Sequence, residues 1–231
     1  SYKKIIISPR NKKKAQYLKK KFKRIMIAKN NQAVIDMSDW IFLGVLPQVG
    51  ESILPKLYFK KNQIVISFMS TTNLSKLKKL IKKKVTIVRA IPMPPIRLGK
   101  GPVAIFPANR KIKNFFNKIG SVIEIQNEKL SINFWSTSGM MASYYNMLKI
   151  ISNWLVKKGI KKKDAQKYIT TLFLALSEDA VLNSQKELKY LVKESQTPKG
   201  LNEQGLKIMN KKGVYKSIIN TLNSIHKRLN K

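Results

Sequence analysis

The sequence predicts two domains of different classes, a largely parallel α/β domain followed by an all-α domain. In the first half, short apolar runs without internal alternation are separated by Lys-rich helical stretches, a pattern typical of strands buried on both faces. The second half has no such runs and ends in an apolar stripe of helical period. The stripe consists of Val214, Ile218, Leu222, Ile225 and Leu229. We place the domains at residues 1–126 and 127–231.

Strands and helices alternate along the first domain. Strands are predicted at residues 5–7, 25–28, 40–45, 64–69, 85–90, 103–106 and 122–125. Helices are predicted at residues 12–22, 32–37, 74–81 and 112–119. This alternation indicates a sheet covered by helices on both faces.

Five helices are predicted in the second domain. They cover residues 141–156, 163–182, 187–192, 202–210 and 214–229. The first has apolar residues on nearly all sides, so we expect it to be buried, and Gly159 ends it. Residues 196–200 form a loop.

Composition excludes several kinds of site. The chain has no Cys and one His, His226, so disulfides and thiolate sites are excluded, and neither a Ser-His-Asp triad nor a metal site is expected. The longest apolar runs fall far short of the ~20 residues that span a bilayer, and no signal peptide is visible. We therefore expect a soluble cytoplasmic protein.

The net charge of +36 would by itself indicate a nucleic-acid-binding protein. Its 47 basic residues, however, include only six Arg, and the Lys runs are spread along the whole chain. Specific readout of nucleic acid favours Arg, so we interpret most of the charge as solvated Lys surface. A polyanion-binding protein remains an alternative.

The α/β domain begins without the glycine-rich turn of a dinucleotide-binding domain, since none of the ten glycines forms Gly-x-Gly-x-x-Gly. Its predicted strands and helices nevertheless fit the remainder of a Rossmann-like domain, so we expect that residues 5–7 are its second strand and that its first strand is missing. The turn at residues 8–11 has no acidic residue for a ribose 2′-hydroxyl and offers Arg10 to a 2′-phosphate. This favours NADP over NAD, unless Arg10 is simply a solvated turn residue.

Four motifs succeed one another in a specific order. Residues 44–48 read Gly-Val-Leu-Pro-Gln, residues 89–95 Arg-Ala-Ile-Pro-Met-Pro-Pro, residues 99–101 Gly-Lys-Gly and residues 197–202 Thr-Pro-Lys-Gly-Leu-Asn. Together they resemble the pyrroline-5-carboxylate reductase family, which has Ala-Val-Lys-Pro-Gln, Arg-Val-Met-Pro-Asn-Thr-Pro, a Gly turn and Ser-Pro-Gly-Gly-Thr-Thr in these places. The resemblance covers essentially the whole chain. The sequence lacks only the family's opening strand, glycine turn and first helix.

The resemblance implies an NADP-dependent reductase of a cyclic imine, with pyrroline-5-carboxylate reduced to proline in proline biosynthesis. It also implies a helical domain that forms a homodimer or a larger homo-oligomer. The residues it places at the cofactor are Ser8, Arg10, Asn11, Asn31, Val45, Leu46, Pro47, Ser67 and Met69. Thr197, Pro198 and Gly200 would hold the substrate carboxylate at a helix N-terminus, and Asn202 would be the catalytic residue facing the ring.

Two departures from the family leave alternatives open. Met93 stands where the family has Asn, and Asn202 stands where it has the second Thr. A dinucleotide-binding paralogue without catalysis is therefore a second hypothesis. Asn202 is equally suited to cap a helix. The apolar cofactor candidates could instead pack at strand ends. The final apolar stripe could pack within one subunit.

Overall fold

The computed structural model describes residues 3–230 and forms two compact units, Ser1–Phe134 and Trp135–Lys231. The first unit holds the strands and the second is helical, as the sequence predicts. The division falls within a helix and lies a few residues after the boundary expected at residue 126.

Seven strands lie in the described part of the first unit. They are β1 (Ile5–Ile7), β2 (Ile25–Ile27), β3 (Trp40–Leu43), β4 (Ile64–Ser67), β5 (Thr86–Pro92), β6 (Pro102–Phe106) and β7 (Ser121–Glu124). They form a two-stranded sheet, β1-β2, and a five-stranded sheet in the order β3-β4-β5-β6-β7. Every pair is parallel except β5–β6, so the prediction of a largely parallel sheet is confirmed.

The antiparallel pair results from the length of one connection. Between the end of β5 at Pro92 and the start of β6 at Pro102 lies a short 3-10 helix, Pro94–Leu98, followed by a Gly-Lys-Gly turn. A crossover to a parallel strand needs about a dozen residues or more. The connection is too short for one, so the chain reverses direction.

Five helices cover the first unit. They are α1 (Lys12–Lys21), α2 (Asn31–Asp36), α3 (Pro47–Ile53), α4 (Leu74–Ile81) and α5 (Arg110–Phe116). Four of them begin after an Asn whose side chain accepts a hydrogen bond from the first turn, which is a favourable way to satisfy a free helix N–H. These residues are Asn11, Asn30, Asn73 and Asn109.

The larger sheet buries a separate core on each face. Val65 of β4 packs in one core with Leu77 of α4, whereas Ile66 packs in the other with Phe116 of α5. Successive side chains of a strand point to opposite faces, so β4 contributes to both cores. The absence of polar alternation in the sequence is thereby explained.

The two sheets share no strand pairing among the described residues. Among the described residues, β1 pairs only with β2, and β3 pairs only with β4, so each has one edge without a strand partner. A doubly wound sheet of the order 3-2-1-4-5-6 would leave one parallel group of two strands and one of three if strand 1 were taken out. A Rossmann-like fold without its first strand predicts this arrangement.

Helix α6 (Ser131–Ser138) crosses the division, and the second unit continues with five more helices. They are α7 (Met141–Lys157), α8 (Lys162–Leu182), α9 (Leu188–Glu194), α10 (Leu201–Lys211) and α11 (Val214–Leu229). Contrary to expectation, α7 is not a buried helix, because Tyr145, Ile150 and Trp154 are exposed and only Ser152 is buried.

Large apolar side chains remain exposed throughout this unit. No residue of α9, α10 or α11 is buried, and the apolar stripe on α11 is half-buried at most. Within residues 3–230, no helix is long and apolar enough to cross a membrane. Among residues 3–230, nothing covers these exposed apolar side chains.

Candidate functional site

A polar rim lies at the carboxyl ends of β1 and β2 and consists of Ser8, Arg10, Asn11 and Asn31. The Ser8 hydroxyl donates a hydrogen bond to Oδ1 of Asn31 at 2.8 Å, and the backbone N–H of Arg10 donates to Oγ of Ser8 at 3.4 Å. Because β1 and β2 are parallel, their carboxyl ends meet at one edge of the sheet. The structure thus brings these predicted residues together.

Helix capping uses part of the polar rim. Oδ1 of Asn11 accepts a hydrogen bond from the backbone N–H of Lys14 at 3.0 Å, so this oxygen is committed to the first turn of α1. The side chain of Arg10 is exposed in the turn that precedes this cap. Arg10 is therefore the member of the polar rim best placed to reach a ligand.

The electrostatics of the polar rim favour an anion. Lys12, Lys13 and Lys14 succeed Arg10 in the first turn of α1, and Lys29 precedes α2. Residues 1–35 contain no Asp or Glu. The rim therefore lacks the carboxylate that would hold a ribose 2′-hydroxyl, and its charge fits a phosphate group instead.

An apolar surface lies beyond the end of β3. Val45, Leu46 and Pro47 connect the strand to α3, which begins at Pro47, and the side chain of Leu46 is 69% exposed. Leu46 therefore does not pack into the strand end, which was the alternative to a ligand contact. Val45 and Pro47 are half-buried.

Ser67 and Met69 lie in the interior, which corrects the expectation that their side chains line a cofactor. Ser67 is fully buried at the end of β4. Met69 belongs to one of the two cores, and its sulfur lies 2.5 Å from where a Cβ on Gly50 would stand. The glycine thus lets α3 approach the segment after β4. The buried side chains of Ser67 and Met69 thus anchor the segment after β4 in the interior.

Among the described residues, the most buried ion pair of the α/β unit was not predicted from the sequence. The side chain of Arg89 in β5 is 4% exposed and donates from Nη1 to Oε1 of Glu128 at 2.7 Å. Its Nη2 donates to the carbonyl oxygen of Ser70 at 2.6 Å. A lone charged residue inside an apolar strand is the sequence signal that could have pointed to Arg89.

The predicted substrate loop lies before α10. The N–H of Gly200 donates to the carbonyl oxygen of Thr197 at 2.7 Å, and a Cβ on Gly200 would lie 2.8 Å from that oxygen. Lys199 has a φ of 61°, in the left-handed region that favours glycine. The loop is therefore tight, with Thr197, Pro198 and Lys199 exposed.

Asn202 is exposed in the first turn of α10, and its Nδ2 donates to the carbonyl oxygen of Ser195 at 2.7 Å. The residue at the N-cap is Gly200, so Asn202 does not cap the helix as the alternative interpretation supposed. Its amide instead closes the loop that begins at Ser195. The predicted catalytic contact with a substrate ring stays a prediction.

Glu203 is a further polar residue of this loop, and the sequence pattern did not single it out. One carboxylate oxygen accepts from Nζ of Lys207 at 2.6 Å, and the other accepts from the N–H of Lys199 at 2.6 Å. The hydrogen bond from Lys207 and then that from Lys199 hold the pKa of Glu203 below its ordinary value. The first turn of α10 thus already contains a carboxylate of the chain itself.

Comparison with known proteins finds similar sequences for both units. Residues 129–231 match the family model described as pyrroline-5-carboxylate reductase dimerisation, and residues 2–71 match the one described as NADP oxidoreductase coenzyme F420-dependent. A pyrroline-5-carboxylate reductase from Synechocystis is 26% identical over 97% of this chain and 86% of its own length. Together these matches support the pyrroline-5-carboxylate reductase family. The order of its domains, an oxidoreductase domain followed by a helical dimerisation domain, is that predicted from the sequence.

Solved structures of this reductase family have the same fold. The Streptococcus pyogenes 1-pyrroline-5-carboxylate reductase superposes with a TM-score of 0.82 at 22% identity, over 98% of this chain and 88% of that one. A Plasmodium falciparum pyrroline carboxylate reductase with NADP bound superposes with a TM-score of 0.76 at 20% identity, over 89% of this chain and 81% of that one. At this identity the likeness shows the fold, which is the Rossmann-like arrangement expected.

Proposed function

We propose that this protein reduces pyrroline-5-carboxylate to proline with NADPH, as a step of proline biosynthesis. The observation that carries the proposal is the conjunction of the polar rim on an α/β unit with a helical unit that matches the reductase dimerisation model. A relative named pyrroline-5-carboxylate reductase, which aligns with 97% of the chain, supports this substrate.

The polar rim supports NADPH as the cofactor. The guanidinium of Arg10 is suited to pair with the two oxygens of a 2′-phosphate, and Ser8 and Asn31 lie beside it. The surrounding Lys residues add attraction for an anionic dinucleotide. The described residues contain no glycine-rich turn for the pyrophosphate, so these contacts concern the adenosine end of the cofactor.

The chemistry asks little of the protein beyond positioning. NADPH, when bound, supplies the hydride that reduces the C=N bond. The task of the chain is to hold and desolvate the reactants, which suits a sequence with no Cys and one His. The apolar surface of Val45, Leu46 and Pro47 would exclude water beside the nicotinamide.

The loop before α10 is the proposed substrate site. Thr197, Pro198 and Gly200 surround the start of the helix, where free N–H groups favour an anion such as the substrate carboxylate. Asn202 lies in the first turn and is the proposed contact to the ring. Because Glu203 already accepts the N–H of Lys199, the substrate carboxylate would use the neighbouring N–H groups.

A homodimer is the proposed assembly. The helices of the second unit expose many large apolar side chains, including Leu182 and Leu201, which are 83% and 86% exposed. Extensive exposed apolar surface is typical of an interface, and the match to a dimerisation domain supports a homo-oligomer. A second copy of the chain would cover it.

The decisive experiment measures turnover and cofactor binding side by side on the full chain. NADPH oxidation is followed at ~340 nm with pyrroline-5-carboxylate, and NADPH binding is measured separately by the change in its fluorescence. We expect turnover that depends on the imine and a preference for NADPH over NADH. NADPH binding with a flat absorbance trace at saturating imine would sink the proposal.

That outcome would favour the second candidate, a dinucleotide-binding paralogue without catalysis. Met93 and Asn202 are the observations behind it, because each replaces a polar residue of the motifs that the chain otherwise resembles. Met93 is half-buried at the end of β5, where a thioether offers no strong hydrogen-bond donor. Restoring both polar residues, in the double variant Met93→Asn with Asn202→Thr, would then generate turnover.

A further inference from the structure

One ion pair, formed by the buried Arg89 and the partly buried Glu128, holds both ends of the segment after β4. Arg89 donates to the carbonyl oxygen of Ser70, at the start of that segment, and to Oε1 of Glu128. The same Oε1 accepts the backbone N–H of Leu74 at 2.7 Å, at the start of α4. Residues 70–74, here called the β4 segment, are thus held at Ser70 by the guanidinium of Arg89 and at Leu74 by the carboxylate oxygen of Glu128.

Packing alone does not account for a charge at this place. Arg89 is paired in register with Ser67, the last residue of β4, and its neighbours Val88 and Ala90 are fully buried. Taking a guanidinium and a carboxylate out of water is costly, and well-packed apolar residues are often at least as stabilising. The chain nevertheless places an ion pair where the parallel strands end.

The bonds that the pair makes are directed at the backbone of the β4 segment. Nε of Arg89 and Oγ1 of Thr72 are buried and have no hydrogen-bond partner in the part of the chain that is described. Within that part, the guanidinium bonds to Ser70 and Glu128. Loss of Glu128 would leave the buried charge with a single acceptor.

We propose that Arg89 and Glu128 are positioning residues for the dinucleotide, a role that rests on the proposed function. Ligands of open α/β sheets bind beyond the carboxyl ends of the strands, where the β4 segment lies. Thr71 and Asn73 of this segment are exposed, whereas Ser67 and Met69 below it are buried. The ion pair acts through the backbone of this segment and touches no reactant itself.

The test compares three substitutions with a control. Arg89→Met keeps length without charge, Arg89→Lys keeps charge with one ammonium group, and Glu128→Gln keeps an acceptor without charge. Lys113→Met removes a surface ion pair of the same unit, with Glu124 at 2.6 Å. We expect Arg89→Met to raise the KM for NADPH about tenfold with kcat little changed, because two charge-assisted bonds are lost. Arg89→Lys and Glu128→Gln fall between wild type and Arg89→Met, and Lys113→Met matches wild type.

Hydrogen exchange gives a readout that does not depend on turnover. In Arg89→Met, and more weakly in Glu128→Gln, the amides of residues 70–77 are expected to exchange faster, while those of β6 and β7 stay protected. An active wild type whose Arg89 variants melt earlier yet keep the wild-type KM for NADPH, measured below the melting temperature, would overturn the inference. A wild type that neither binds nor oxidises NADPH would instead overturn the proposed function.

Discussion

The hydroxyl of Ser8 and the side-chain oxygen of Asn31 are joined by a hydrogen bond of 2.8 Å, although 23 positions separate them in sequence. This bond links the turn after β1 to the start of α2. It fixes the spacing of the polar rim before any ligand arrives, and Arg10 projects from the same turn. Pre-organisation of this kind lowers the entropic cost of binding.

The first prediction concerns cofactor preference. Arg10→Ala is expected to raise the KM for NADPH about tenfold, the effect of losing a charge-assisted bond to the 2′-phosphate, while the KM for NADH stays nearly constant. Steady-state kinetics with both cofactors measures the ratio. Lys13→Ala, which removes a neighbouring exposed charge, is the control and should change both values little. An unchanged ratio in Arg10→Ala would leave Arg10 a solvated turn residue.

The second prediction uses two glycines near the start of α10. Gly200→Ala should destabilise the loop by about 1–3 kcal/mol, because the new Cβ meets the carbonyl oxygen of Thr197. Gly205→Ala, inside the helix with nothing near its Cβ, should instead stabilise it by about 1 kcal/mol. Thermal melting reports the opposite signs. Kinetics should show a raised KM for the imine in Gly200→Ala alone.

A third prediction separates two roles of Asn202. Asn202→Ala removes the bond to the carbonyl oxygen of Ser195, and Gln196→Ala removes a comparable bond to the carbonyl oxygen of Val192. Both should cost about 1 kcal/mol in unfolding free energy or less, since each bond is exposed. If Asn202 also faces the ring, its variant alone loses kcat, by about tenfold or more. Equal kinetic losses in the two variants would argue for loop closure only.

The assembly can be tested on one face of α11. Ile218→Glu places a charge in the apolar stripe and should shift the protein to monomers in sedimentation velocity, because a buried unpaired charge is costly. Asn220→Glu adds the same charge to the same helix outside the stripe and should leave the assembly intact. Dissociation in both variants would point to net charge rather than to the stripe.

The carboxylate of Glu203 gives a prediction on pH. Its pKa in the folded protein is lowered by the bonds from Lys207 and Lys199, so the associated stability is fully present above the ordinary glutamate pKa of 4.5. It is lost as the pH falls through the lowered value. The melting temperatures of wild type and Glu203→Gln should therefore differ near neutrality and converge in acid. A gap that is constant with pH would contradict this assignment.

The fold could be predicted in outline because its signals are local. Unalternating apolar runs identified β4 and its neighbours, and the helical period identified α11. Helix α3 was missed because it is short and contains Gly50, a poor helix former, although Pro47 at its start is typical of a first helical residue. The run of residues 85–90 was expected to end before Ile91, yet β5 continues to Pro92 because its last residues pair with β6.

The site was less predictable because its contacts are long-range. Arg10 was predicted from its place in the turn after β1, and Ser8 and Asn31 from the resemblance to the reductase family. Arg89 and Glu128 are 39 positions apart, and only the fold reveals that they meet. Likewise, Met69 is buried because α3 approaches it closely at Gly50, and α3 was not predicted from the sequence.

The exposed apolar side chains of the second unit also bear on how the chain behaves in concentrated solution. Exposed apolar surface favours association with other molecules. The +36 charge opposes such encounters by mutual repulsion. Since salt shortens the range of that repulsion to about 10 Å at 0.1 M, the colloidal stability of the protein falls as ionic strength rises. The Lys residues spread along the chain thus also favour solubility.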